Sequence, residues 1–220
     1  MNQILNIIIS IVMMNQRISF ITSVFLVTVL NIVLNKNSKS LKKEIQWHHY
    51  LFGYFFLLYL IILLKIVGIP SLSEWKMLLS LNEPLFNPHI NLVPFKGGLD
   101  FTYILNIILF MPFGFLLPTL WGKFRKNLWT SFCYGLFFSF TLEIFQLFTS
   151  SRTTDIDDII TNVLGTICGW VIFNIMRKVF YKFANKTVVN ICYSDTLAIK
   201  LEFYLYIVIA IVCTFCFCSI

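Results

Sequence analysis

Charge is scarce in this 220-residue chain. Asp, Glu, Lys and Arg make up 12% of it, about half the share usual in a soluble domain. With 58% hydrophobic residues and a mean hydropathy of +0.82, that shortage argues against a soluble protein. The chain also has no glycine-rich phosphate loop, no dinucleotide fingerprint and no nucleophile elbow. The common signatures of nucleotide-dependent enzymes and of serine hydrolases are therefore missing. No secretory signal with a basic n-region and a small-residue cleavage site is expected at the N-terminus. Histidine occurs three times. His48 and His49 stand at the end of an apolar run as interfacial residues, and His89 lies between prolines as a surface residue. The six cysteines, Cys133, Cys168, Cys192, Cys213, Cys216 and Cys218, lie mostly inside apolar segments. They read as packed thiols without a disulfide framework, even where Cys213, Cys216 and Cys218 crowd together with no histidine nearby. No cofactor and no metal are expected.

What the chain has instead is length of apolar sequence. Six runs approach or reach the roughly 20 residues that cross a hydrocarbon core of about 30 Å. They are Ile18 to Leu34, Trp47 to Ile69, Phe101 to Leu120, Trp129 to Phe148, Ile159 to Met176 and Phe203 to Ser219. Backbone polar groups in lipid need internal partners, so the runs must be helices. The expected fold is an all-α, polytopic transmembrane bundle of about six spans. Ile4 to Met14 is too short to span alone and either extends the first helix or lies on the surface. The stretch "MPFGFLLP", Met111 to Pro118, is expected to kink the third span.

The net charge of +7 sits in short loops, where it sets orientation rather than binding nucleic acid. Lys36, Lys39, Lys42 and Lys43 fill one loop, Lys123, Arg125 and Lys126 another, and Arg177, Lys178, Lys182, Lys186 and Lys200 a third. These twelve cations occupy alternate loops, while the other two hold only Lys76, Lys96 and Arg152. The positive-inside rule places the twelve in the cytoplasm and both termini outside. Glu74, Glu83, Asp100, Asp155, Asp157 and Asp158 then lie outside. The long outer loop, Pro70 to Asp100, is broken by Pro84, Pro88 and Pro94 and carries apolar residues suited to the membrane surface or the helix tops.

The densest charge is in "SRTTDIDDIITNVLG", Ser151 to Gly165, at the mouth of the fifth run. One Asp can cap the first turn of a helix and meet its dipole, but three exceed that need. Asp155 and Asp158 share a face with Asn162, above Gly165 and Gly169, whose spacing suits close helix packing. Asp157 points elsewhere, as a cap. Near the outer end of the fourth run, Glu143 and Gln146 form a matching edge, and an ionisable group at that depth is by default a functional candidate. Asn106 of the third run joins them from one side, and Arg152 is placed to cover the cluster as a counter-ion. Glu143, Asp155 and Asp158 are the candidate catalytic groups, and Asn91, Asn106, Gln146, Arg152, Asp157 and Asn162 the candidate binding groups. The bland alternative is a hydrogen-bond network that fastens three helices together.

Four pieces in order resemble the VanZ family of bacterial membrane proteins: "NLVPF" (Asn91 to Phe95), "NIILFMPFGFLLP" (Asn106 to Pro118), "EIFQ" (Glu143 to Gln146) and "RTTDIDDIITNVLGTICGW" (Arg152 to Trp170). Pro94, Phe95, Pro112, Gly114 and Gly165 match the family pattern together with the nine candidates. The resemblance divides the chain into a region 1–90, a VanZ-like unit 91–176 and a basic loop with a last helix, 177–220. It implies a cell-envelope protein, since the founding member is associated with resistance to the glycopeptide teicoplanin. Membrane lipid, a cell-wall precursor or the glycopeptide itself are the partners it implies on the outer face. Three functions stay open: a binding or shielding protein, an enzyme acting on a lipid-linked envelope substrate, and a transporter or flippase.

Overall fold

A computed structural model describes residues 2–40, 45–86, 88–96, 98, 100–149, 152–190 and 195–217, with side chains from residue 17 onward apart from 39, 40 and 183. Lys42, Lys43, Cys192, Cys218 and Ser219 lie outside the described residues, as does Ser151. The helices are α1 (Asn2–Ser40), α2 (Trp47–Val67), α3 (Leu72–Ser80), α4 (Phe101–Leu120), α5 (Leu128–Gln146), α6 (Ile156–Val179), α7 (Tyr181–Thr187) and α8 (Leu197–Phe217). Six of the helical segments are long and apolar enough to cross a membrane, and the fold is an all-α multi-pass membrane bundle. Large apolar side chains such as Phe25, Phe137 and Val208 are exposed on its flanks, as a lipid-facing surface requires.

The closest packing is between α4 and α6. Gly165 and Gly169 of α6 lie against the backbone of α4, where a Cβ at either would collide with the carbonyl oxygens of Ile107 and Met111. Gly114 of α4 answers from the other side, against the Thr166 carbonyl. In lipid there is no hydrophobic drive between helices, so backbone approach through small residues supplies the contact. α5 packs against α6 as well, and Gly135 of α5 faces Thr166. An aromatic core closes the remaining space. Phe113 and Phe138 stack at 4.7 Å between centroids, Phe56 stacks on Phe113 at 6.2 Å, and Trp121 stands edge to face against Phe56 and Phe203. α8 lies against both α1 and α2. α4 runs unbroken as a helix through Pro112 and Pro118.

Several sequence expectations are corrected here. The 70–100 segment is not only loop, because α3 starts at Ser71, whose hydroxyl accepts from the Glu74 N–H at 3.2 Å. Ser71 and Glu74 have the S-x-x-E spacing of a capping box, a start signal that outweighs the nearby prolines. α2 ends before it, at Gly68, whose φ of 78° is the left-handed geometry of a helix C-cap. Of the two alternatives left open for Ile4 to Met14, the first holds, since the stretch belongs to α1 and extends the first helix. The last helix begins at Leu197, six residues before the expected Phe203, so Lys200 and Glu202 are helical. Acidic residues are also not confined to one end of the bundle. Glu202 and Asp195 are buried at the end where Lys123, Arg125 and Arg177 stand. Of the described cysteines, Cys213 is buried, Cys168 half-buried, and Cys133 and Cys216 exposed, all as free thiols.

Candidate functional site

The acidic end of the bundle is built where the 70–100 segment crosses the α5–α6 connection. Two short strands meet there, β1 (Ile90–Asn91) and β2 (Thr154–Asp155), paired in parallel with Asn91 opposite Asp155. The Thr154 N–H donates to the His89 carbonyl at 2.8 Å and anchors the pairing. α6 then starts with Asp155 as its N-cap, Oδ1 accepting from the Asp157 N–H at 2.9 Å. Its other oxygen, Oδ2, accepts from Asn91 Nδ2 at 3.0 Å. Its own N–H donates to Glu143 Oε2 at 3.0 Å, and the Thr154 hydroxyl donates to the Glu143 carbonyl at 3.0 Å. Asp155 thus joins α5, β1 and α6 through one residue.

Asp157 is not the cap. It is 2% exposed and turns toward the 93–96 turn. Its Oδ1 and Oδ2 share the Phe95 N–H at 2.9 and 3.1 Å, and Oδ2 also accepts from the Tyr103 hydroxyl at 2.8 Å. Phe95 sits at φ 54°, a conformation bulky residues rarely adopt, and its ring stands edge-on to Tyr103 at 5.6 Å. Such strain costs on the order of 1–3 kcal/mol and persists where surrounding contacts fix it. Here the buried carboxylate supplies the fixing contact. Asp158 is half-buried and accepts from Asn106 Nδ2 at 2.7 Å, which ties α6 to α4.

The other candidates make their hydrogen bonds elsewhere, although Arg152 stays within electrostatic reach of Asp158. Gln146 Nε2 donates to the Val67 carbonyl at 3.1 Å, and Arg152 Nη2 to the Ile66 carbonyl at 2.9 Å. Both satisfy carbonyls that the end of α2 leaves open, and the Arg152 guanidinium lies over Gly68. Asn162 is deeper in the bundle and donates to Ser139 Oγ at 3.0 Å. The nine candidates therefore form a linked group of Asn91, Asn106, Glu143, Asp155, Asp157 and Asp158, a pair capping α2, and one buried tie between α5 and α6. Tyr103, Ser139 and Thr154 complete these contacts and were not anticipated; Tyr103 lies three residues before Asn106, one helical turn away, which is the spacing that would have found it. Among the described residues no group of three or more His, Cys, Asp and Glu side chains is arranged to hold a metal ion.

A second polar centre, at the basic end, was missed altogether. His49 and Glu202 are each 1% exposed and meet at 2.7 Å between Nε2 and Oε1. Trp121 Nε1 donates to Glu202 Oε2 at 2.9 Å, and His49 Nδ1 lies 2.8 Å from the Thr187 carbonyl. His49 is thus not an interfacial residue but the centre of a tie between α2, α8 and the end of α7. The sequence signal was Glu202 itself, an acid directly beside the last apolar run.

Comparison with known proteins supports one assignment. No curated protein and no solved structure matches the chain. A family model described as VanZ/LLP1 matches residues 56–177, more than half of the chain. That span contains all nine candidate residues, the α4–α6 glycine seam and most of the aromatic core. The chain, by this match, belongs to the VanZ/LLP1 family.

Proposed function

We propose that this protein is an integral membrane protein of the bacterial cell envelope that lowers sensitivity to teicoplanin by binding, with its acidic end outward. The observation that carries the reading is how the carboxylates are used. Glu143, Asp155, Asp157 and Asp158 each accept from a donor the chain itself provides, and two of those donors, Asn91 Nδ2 and the Phe95 N–H, belong to the 89–96 segment. Asp155 and Asp157 thereby hold that segment over the helix tops, while Glu143 and Asp158 tie α5 and α4 to the start of α6. The segment in turn displays Ile90, Leu92, Val93 and Phe95 as exposed apolar side chains beside a polar floor. An apolar ledge with placed polar groups suits a lipoglycopeptide or a lipid-linked cell-wall precursor. The outward orientation rests on the Lys and Arg bias of the opposite loops.

The rival is a membrane enzyme acting on a lipid-linked substrate. It rests on the nearness of Glu143 to Asp155, since such a pair can divide acid and base roles. Inhibitory concentrations of teicoplanin and vancomycin in a susceptible Gram-positive host separate the two. The host would express wild type, Glu143→Gln or Asp157→Ala, each at matched membrane level. Glu143→Gln keeps an acceptor for the Asp155 N–H and removes the acid, whereas Asp157→Ala releases Phe95. Binding predicts a teicoplanin-selective rise for wild type that survives Glu143→Gln and is lost with Asp157→Ala. Loss with Glu143→Gln in a folded protein would favour the enzyme, and no rise from well-expressed wild type would remove the resistance role.

A further inference from the structure

At the basic end, away from the acidic cluster, two cavities adjoin. The first has a volume of about 360 Å³ and lies between α2, α4, α6 and α7, walled by Phe52, Phe115, Phe173, Met176 and Phe180. Its wall is almost wholly apolar, and Arg177 stands at its edge. The second, of about 260 Å³, is lined by Asn174, Arg177, Lys178 and Tyr181. Arg177 belongs to both. One space is thus suited to hydrocarbon and the next to an anion, with a guanidinium on the boundary.

The charges there are unbalanced. No Asp or Glu lines either cavity. Arg125 is close enough to Arg177 for mutual repulsion, and its guanidinium lies 5.3 Å over the Phe173 ring that walls the apolar cavity. Its donors go to neutral acceptors, the carbonyls of Pro118, Thr119 and Ala184 and the side chain of Asn185. Burial, with Arg177 beside it, pulls Arg125 down to about 10. Among the described residues Arg177 makes no ion pair with a carboxylate. Lys182 and Lys186 are exposed on α7, the helix that supplies Ala184 and Thr187 to the apolar cavity.

We propose that this double cavity binds one anionic phospholipid of the adjacent leaflet, with an acyl chain in the apolar space and the phosphate on Arg177 and Lys178. A volume of about 360 Å³ is within the range of about 300–1,000 Å³ of ligand pockets. Guanidinium matches phosphate geometry with paired donors, and basic pockets between helices are a recognised way of holding lipid head groups. The site is independent of the function proposed for the acidic end.

Native mass spectrometry of the full chain in detergent, with phosphatidylglycerol or phosphatidylcholine of identical chains, tests it. Wild type is expected to retain one phosphatidylglycerol in preference to phosphatidylcholine. Arg177→Gln should cut that preference about fivefold, and Lys178→Gln, a second variant on the open rim, should also lower it. Ala184→Leu, which fills the apolar space, should weaken retention of both lipids. Inorganic phosphate at millimolar concentration should not displace the lipid, because it has no chain to bury. Equal retention of the two lipids by wild type, or a preference unchanged in both Arg177→Gln and Lys178→Gln, would overturn the proposal. So would displacement by phosphate alone.

Discussion

The main-chain N–H of Asp155 lies 3.0 Å from Glu143 Oε2, across the turn that joins α5 to α6. Glu143 is 2% exposed and Asp155 half-buried, so this bond is partly shielded from water and its loss leaves a poorly solvated donor unpaired. Replacing Glu143 by Ala should therefore cost about 1–3 kcal/mol. Gln at the same position keeps an acceptor and should cost less. Thermal unfolding of the two variants in one detergent orders them, and equal melting points would remove this bond from the account.

Asp157 holds the strained Phe95 backbone and the Tyr103 hydroxyl together. Asp157→Ala should free the 89–96 segment without unfolding the bundle. Hydrogen exchange should quicken at 89–96 and at the start of α6, with the α4–α6 seam unchanged. Tyr103→Phe removes one of these contacts and should produce a smaller effect in the same place.

The seam itself leaves no room for a side chain. A Cβ at Gly169 meets the Met111 carbonyl, which is backbone and cannot turn aside. Gly169→Ala should destabilise the protein by about 1–3 kcal/mol through overpacking, and Gly169→Leu by more. At Gly135 the obstacle is the Thr166 side chain at 2.8 Å, farther off than the Met111 carbonyl is at Gly169, so Gly135→Ala should be milder. A melting-point series across these variants checks the order.

His49 and Glu202 form a buried pair whose partners are Trp121 and the Thr187 carbonyl. Removing one member strands the other. His49→Ala should cost about 3–5 kcal/mol, whereas changing both to apolar residues of similar volume should cost far less. A double-mutant cycle on unfolding reads the coupling, and additive losses would show that the pair does not act as a unit.

Much of this was legible in the sequence. Six apolar runs fixed the number of spans, and the three- and four-residue spacings around Asp158 and Gly165 placed a polar edge above a glycine groove. The side-chain assignments were harder, because they depend on a partner distant in sequence. Asp157 read as a helix cap, since its neighbours alone offer it free N–H groups. Its real partner, Phe95, is 62 residues away and reaches it only once β1 pairs with β2. Gln146 and Arg152 were grouped with the acids, and Arg152 does stand within electrostatic reach of Asp158, but the hydrogen bonds of both go to the open carbonyls of α2. α3 was written in the Ser71–Glu74 spacing and was obscured by the prolines that follow.

The most direct test of the central claim is labelling of a cysteine at position 92 in intact cells. Leu92 is 69% exposed on the segment that the carboxylates hold. A membrane-impermeant maleimide would be applied to cells expressing Leu92→Cys or Lys182→Cys, with wild type as the background. The account predicts that Leu92→Cys labels in intact cells and Lys182→Cys only after permeabilisation. The reverse pattern would put the acidic cluster on the cytoplasmic face and contradict a role in meeting glycopeptides there.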